Sequence, residues 1–184
     1  MAYHGVELQN SITIGKIFSI HYFEYMSNLS FAGESHNLWE FICVDKGEVG
    51  VTRGKSYTIL KKGDLIFHKP NEFHDVKATG GIAPNLVVIS FECNDDAMYF
   101  FNDRLLQIDE TERNLLANII IEARRCFDCR LDDPYLQNMP LKDPDTFGAQ
   151  QMIKLYLEHF LIHLIRRHSH PKKKKKKLPK ADPP

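Results

Sequence analysis

The stretch that most constrains this chain runs from Gly63 to His74, Gly63-Asp-Leu-Ile-Phe-His68-Lys-Pro70-Asn71-Glu-Phe-His74, with Gly, Pro and His at G-x6-P-x3-H spacing. Gly-Asp turns the chain, Leu65 to Phe67 are strand residues, Pro70-Asn71 turns it again and His74 opens the next strand. A turn, strand, turn and strand this compact is how a small β-barrel aims a side chain into its mouth. The surrounding sequence agrees. From residue 11 to about 92, short β-branched and aromatic runs alternate with Gly turns: Ile12 to Tyr25, Leu38 to Val44, Glu48 to Thr52, Ser56 to Leu60, Phe73 to Ala78 and Asn85 to Phe91. That spacing predicts an all-β barrel or sandwich.

After Cys93 the period changes. Asp95 to Phe101 reads as one or two helical turns. Asp109-Glu110-Thr111-Glu112 opens a helix with acidic residues that suit its N-terminal dipole. That helix carries Leu115, Leu116, Ile119, Ile120 and Ala123 on one face until about Cys129. Asp132-Asp133-Pro134 breaks it, and 136–146 reads as a loop. A second helix, from about Phe147 to Arg167, has two apolar stripes. One is Ile153, Tyr156, Leu157, Phe160, Leu161 and Leu164. The other, offset, is Met152, Leu155, Ile162 and Ile165, interrupted by His159. Two stripes exceed what one sheet face can cover, so the second predicts a subunit interface through Met152, Leu155, His159, Ile162 and Arg166.

Charge and cysteine content narrow the function classes. The chain has 24 basic and 24 acidic residues, but nine of the basic ones and a single Asp lie from Arg166 onward. The body is therefore about −8 and the tail about +8, and an acidic body is a poor nucleic-acid surface. The Pro- and Lys-rich stretch 169–184 predicts a disordered basic linker. No apolar run is long enough to span a membrane and no leader pattern opens the chain, so the expected compartment is the cytoplasm. Cys43 and Cys93 read as core residues. Cys126 and Cys129 form a C-x-x-C inside a helical pattern, without the second pair or histidine of a metal site. His159 and His163, i and i+4 on a helix, read as interface or surface residues.

A second constellation precedes the first: Glu34, His36, Trp39 and Glu40, then Gly47. On neighbouring strands, His36, Glu40 and His74 can point inward together. They would then ligate a divalent metal, or hydrogen-bond a small polar ligand against an apolar wall of Trp39 or Phe67.

Glu34, His36, Glu40 and Gly47, followed by Gly63, Pro70 and His74, resemble the paired motifs of the cupin superfamily, whose metal-binding members have H-x-H, then E, then a final His. Here the first His position is Glu34, while His36, Glu40 and His74 match the others. The reading that follows is a ligand pocket without a metal or other cofactor, formed by His36, Trp39, Glu40, His68 and His74. A divalent metal, if bound, would use His36, Glu40 and His74. Beyond the barrel, Leu131-Asp-Asp-Pro-Tyr135 between two helices, and Phe147 to Glu158, are similar to the N-terminal sensor domain of AraC-type transcriptional regulators. The resemblance spans about residues 20 to 168.

It implies a cupin-like jelly-roll barrel (11–94), preceded by an arm (1–10) that covers the pocket or frays. After the barrel comes an antiparallel helical pair that dimerises (95–168). It further implies a non-enzymatic module that binds a small polar effector, possibly a sugar, forms a homodimer through the last helix, and reaches DNA only through C-terminal units that this sequence does not contain. A small metal-dependent cupin enzyme, an isomerase or dioxygenase, is the alternative.

Overall fold

The computed structural model describes residues 1–23, 30–79, 82–144 and 146–169. Eight strands wind into two antiparallel sheets: β1 (Lys16–Phe23), β2 (Ser30–Glu34), β3 (Trp39–Lys46), β4 (Glu48–Arg53), β5 (Ser56–Lys61), β6 (Asp64–His68), β7 (His74–Ala78) and β8 (Asn85–Glu92). One sheet has the order β1-β8-β3-β6 and the other β2-β7-β4-β5. Successive strands thus cross between sheets in the double Greek key of a jelly roll, the cupin-like barrel expected. A short β9 (Leu105–Gln107) pairs with β6 and lengthens the first sheet to five strands. Sheet residues therefore continue past position 94, after a 3-10 helix at Asp96–Phe101.

Two helices follow, α1 (Glu110–Cys126) and α2 (Ala149–Ser169). They cover the outer face of the five-stranded sheet, which is buried on both sides. Side-chain alternation divides β3 accordingly. Ile42 and Val44 join Val49, Val51, Leu60, Ile66, Leu86 and Val88 in the core between the sheets. Trp39, Phe41 and Cys43 point the other way, into a larger core built with Phe67, Phe91 and the apolar faces of both helices.

The first stripe of α2 supplies Ile153, Leu157, Phe160, Leu161 and Leu164 to that core. Of the second stripe, Leu155, His159 and Arg166 are exposed and Met152 and Ile162 half-buried. Cys43, Cys93 and Cys126 are buried, Cys129 is half-buried, and none of the four is in a disulfide.

The helices run antiparallel, and a charged knot fixes them. Asp109 caps α1 in a reciprocal capping box with Glu112. The Glu112 side chain is fully buried and accepts from Arg167 Nε (2.9 Å) and Nη2 (2.6 Å), with His163 Nδ1 at 3.0 Å. Arg167 also donates to the Gln107 carbonyl of β9. His163 is thus turned into the chain and His159 away from it.

At the other end, Ile12 and Ile14 are buried against the helical core, and Glu158 of α2 accepts the Ile14 N–H at 2.9 Å. Residues 1–10 are exposed throughout. Among the described residues no helix is long and apolar enough to cross a membrane. Of the expected linker 169–184, Ser169 is the last residue of α2, and the remainder lies outside the described residues.

Candidate functional site

The site is built by three local constraints at one end of the barrel. Gly63 (φ 87°) and Asn71 (φ 65°) take left-handed conformations at the two ends of the β6 segment, as a Gly-Asp and a Pro-Asn turn require. The Asn71 N–H then donates to the His36 carbonyl (2.8 Å), and Asn71 Nδ2 to Asn37 Oδ1 (3.3 Å). The Pro70 turn thereby holds the loop that carries His36.

Gly33 (φ 92°) sits at an irregularity in the β2–β7 pairing. A Cβ there would lie 2.9 Å from the His74 carbonyl and against the Phe73 ring. This close approach sets Glu34 opposite His74.

Glu34, His36, Glu40 and His74 consequently bring one donor atom each to within 4.8 Å of one another. His36 Nε2 lies 3.4 Å from Glu40 Oε2 and 3.8 Å from Glu34 Oε1. His74 Nε2 lies 3.3 Å from Glu40 Oε1 and 3.9 Å from Glu34 Oε1. Each Nε2 is buried and stands within ion-pair distance of a Glu40 oxygen.

Glu40 is oriented from behind. Ser90 Oγ donates to its Oε2 at 2.6 Å, and Ser19 Oγ donates to Ser90 Oγ at 2.8 Å. His74 Nδ1 lies 3.0 Å from the Glu72 carbonyl. When that nitrogen carries the proton, Nε2 is left as a lone-pair donor, the orientation that second-shell groups impose on metal-ligating histidines.

Electrostatics tie the cluster together. Burial pushes the Glu40 carboxyl upward, but His36, His74 and Ser90 outweigh it and hold the group well below the usual carboxylate range. The contact with Glu40 raises His36. For His74 burial acts downward, and the hydrogen bond and charge of Glu40 more than reverse it.

His68 behaves oppositely. It is fully buried, stacked on the His74 ring at 4.2 Å, and burial plus the His74 charge lower its pKa to about 3. His68 is therefore a neutral ring supporting His74 from below.

The fold thus gathers His36, Glu40, His68 and His74 from the sequence-expected pocket. Trp39 is a correction. It neighbours Glu40 on β3, so the pleat turns it to the opposite face, where it is buried in the helical core. Phe67, proposed as an alternative apolar wall, lies on that same side. Sequence reasoning left Glu34 out of the pocket, although its place in the E-x-H pair was the available signal. It also missed His21 and Pro134, which line the cavity from β1 and from the loop after α1.

The cavity at the cluster is about 60 Å³ and is otherwise lined by Phe31, Ile42, Val76, Leu86 and Val88. No residue of the N-terminal arm lines it.

A larger groove, about 670 Å³, lies between Ile14–Ile17 and α2. Its carboxylate, Glu158, is committed to the Ile14 N–H and to Lys154 at 3.8 Å. A second acidic group, Asp109, Glu112 and His163, is the helix knot already described, closed by Arg167.

The donor set at the barrel fits a divalent ion. A tetrahedral site with bonds near ~2.1 Å has ligand–ligand edges of about 3.4 Å, against the 3.3 to 3.9 Å found here. Two imidazoles and two carboxylates are a borderline-to-hard set, suited to Zn, Mn, Fe or Ni.

No family model and no curated protein matches this sequence. Among solved structures the chain aligns with apo ToxT from Vibrio cholerae, at 9% identity over 89% of this chain and 59% of that one, with a TM-score of 0.48. It aligns with a protein described as a predicted oxalate decarboxylase from Thermotoga maritima at 21% identity, over 34% of this chain and 55% of that one (TM-score 0.33). The cupin domain of Schizosaccharomyces pombe Cnp3 aligns at 15% identity, over 40% and 50% (TM-score 0.34). The chain spans about half the length of the first structures it matches, 52% and 55%.

Proposed function

We propose that this chain is the sensing and association domain of an AraC-type transcriptional regulator, and that its barrel captures a divalent cation as part of a small-effector site. One observation carries the cation: four donors, three on strands β2, β3 and β7 and one on the loop between β2 and β3, lie within 4.8 Å of one another. The regulator assignment rests on the sequence resemblance and on α2, which spends one stripe on its own core and leaves Leu155 exposed with Met152, Ile162 and Ile165 half-buried beside it.

Calorimetric titration of metal-stripped protein with Zn, Mn, Fe(II) and Ni salts tests the site. The expected result is one ion per chain, weakened at least 100-fold in Glu40→Gln. Glu34→Gln, at a half-exposed position that leaves the core intact, weakens it less. Absence of saturable binding by any of these ions overturns the metal site.

The association surface has its own test. Sedimentation should show a dimer that Leu155→Arg or Ile162→Arg converts to a monomer, and a parent protein that stays monomeric at micromolar concentrations overturns the interface.

A catalytic use of the same centre has one observation in its favour. The Glu34 carboxylate stands at the rim, 47% exposed, where a general base would meet a metal-bound water. Loss of substrate conversion in Glu34→Gln with metal retained would establish it.

A further inference from the structure

Residues 1–10 leave the body of the protein beside a groove that they do not fill. Their departure point is fixed. Ile12 and Ile14 are buried in the helical core, the Thr13 N–H donates to Asp95 Oδ2 at 2.6 Å, and the Gly15 N–H donates to the Glu92 carbonyl at 3.0 Å. Before them, Tyr3, Val6 and Leu8 are 95%, 86% and 90% exposed. Val6 and Leu8 alternate with Glu7 and Gln9, so an extended chain there has one apolar edge and one polar edge. Of residues 1–10, Asn10 alone lines the groove of about 670 Å³ between Ile14–Ile17 and α2.

That groove suits such a segment. Buried Phe127, Ile153 and Leu157 give it an apolar floor, and Lys16, Gln151 and Lys154 are exposed at its rim. The charged residues of the lining are Lys16, Lys154 and Glu158, an excess of one positive charge. Leu155, exposed on α2, belongs both to this groove and to the stripe assigned to association. The groove is therefore continuous with that surface.

We infer that in the dimer residues 6–8 of each chain lie in this groove of the other chain. Val6 and Leu8 rest on the apolar floor, and Glu7 faces Lys16 and Lys154, balancing the excess charge. The inference rests on the association reading above and adds a second element to its interface. Two observations select the arm of the second copy over the chain's own. The chain's own arm starts from the groove wall at Asn10, so it would have to reverse within Val6–Gln9, which holds neither Gly nor Pro. Leu155 also places the open side of the groove where the second copy docks.

The test mixes two preparations under mild oxidation, one carrying Leu8→Cys and the other Gln151→Cys. Both positions are exposed, so neither substitution disturbs the core, and the parent protein supplies the background from Cys129. A disulfide-linked pair on a non-reducing gel is expected from the mixture. The double variant on one chain should link between chains, not close on itself. In sedimentation, deletion of residues 2–9 should raise the dimer dissociation constant about tenfold or more. Val6→Asp with Leu8→Asp, which keeps the chain length, should do the same.

No link in the mixture, a link formed only within one chain, or a dissociation constant unchanged by both variants overturns the arm exchange and leaves the dimer standing. A parent protein that stays monomeric overturns the association reading itself, and is seen before any variant is made.

Discussion

Arg167→Met should lower the unfolding free energy by about 3–5 kcal/mol, the largest loss expected from a single side chain in the helical layer. Its partner Glu112 is fully buried and receives two hydrogen bonds from this one guanidinium. Removing the cation leaves a buried carboxylate with His163 and the Asp109 N–H alone. The Gln107 carbonyl loses its Arg167 donor as well. Urea unfolding followed by circular dichroism reads the difference. Pairing Arg167→Met with Glu112→Gln should return much of the loss, because the penalty belongs to an unpaired charge and not to missing packing. A single-variant loss under about 1 kcal/mol, the scale of an exposed pair, would mean that water reaches Glu112.

The second large effect is on acid stability of the metal-free protein. Folded His68 has a pKa of about 3, below the ordinary 6.5. Below pH 6.5 the unfolded chain therefore takes up a proton that folded His68 refuses, and stability falls by about 1.4 kcal/mol per pH unit. His21, lowered by burial, acts in the same direction. His36 and His74 are raised. Their contribution is fully present below 6.5, unchanging through the acid range, and is lost only as pH rises through their folded values. Glu40 is depressed, so its share is kept above about 4.5 and lost below.

Between pH 6.5 and 4.5 the slope thus comes chiefly from His68 and His21. His68→Gln should remove about 1.4 kcal/mol per pH unit from it, and the same share from the steeper fall below pH 4.5 down to about pH 3, where folded His68 takes up its proton. Urea midpoints measured from pH 7 to 4 would show this, and an unchanged slope would mean that His68 is protonated in the fold.

How much of this was legible in sequence depended on range. The jelly roll was, because its strands are short, β-branched and set off by Gly turns. β2 and β9 were not, being only five and three residues long.

The histidines and Glu40 were legible through spacing. Trp39 was misplaced for a reason also present in the sequence, since adjacent strand residues cannot share a face and Glu40 already had the inner one. Glu34 stood in plain view as a departure from a pattern, yet its role required the Gly33 irregularity that brings β2 against His74. Glu112 read only as a favourable charge at a helix start. Nothing local announces a partner 55 residues later in Arg167.

The five-stranded sheet, covered on both sides, lets two properties of this protein vary independently. Glu40 and Ile42 line the barrel cavity and Val44 packs between the sheets, while Trp39, Phe41 and Cys43 pack toward the helices, within one stretch of eight residues. Substitutions at every second position of β3 can therefore reshape the barrel interior without disturbing how the helices dock.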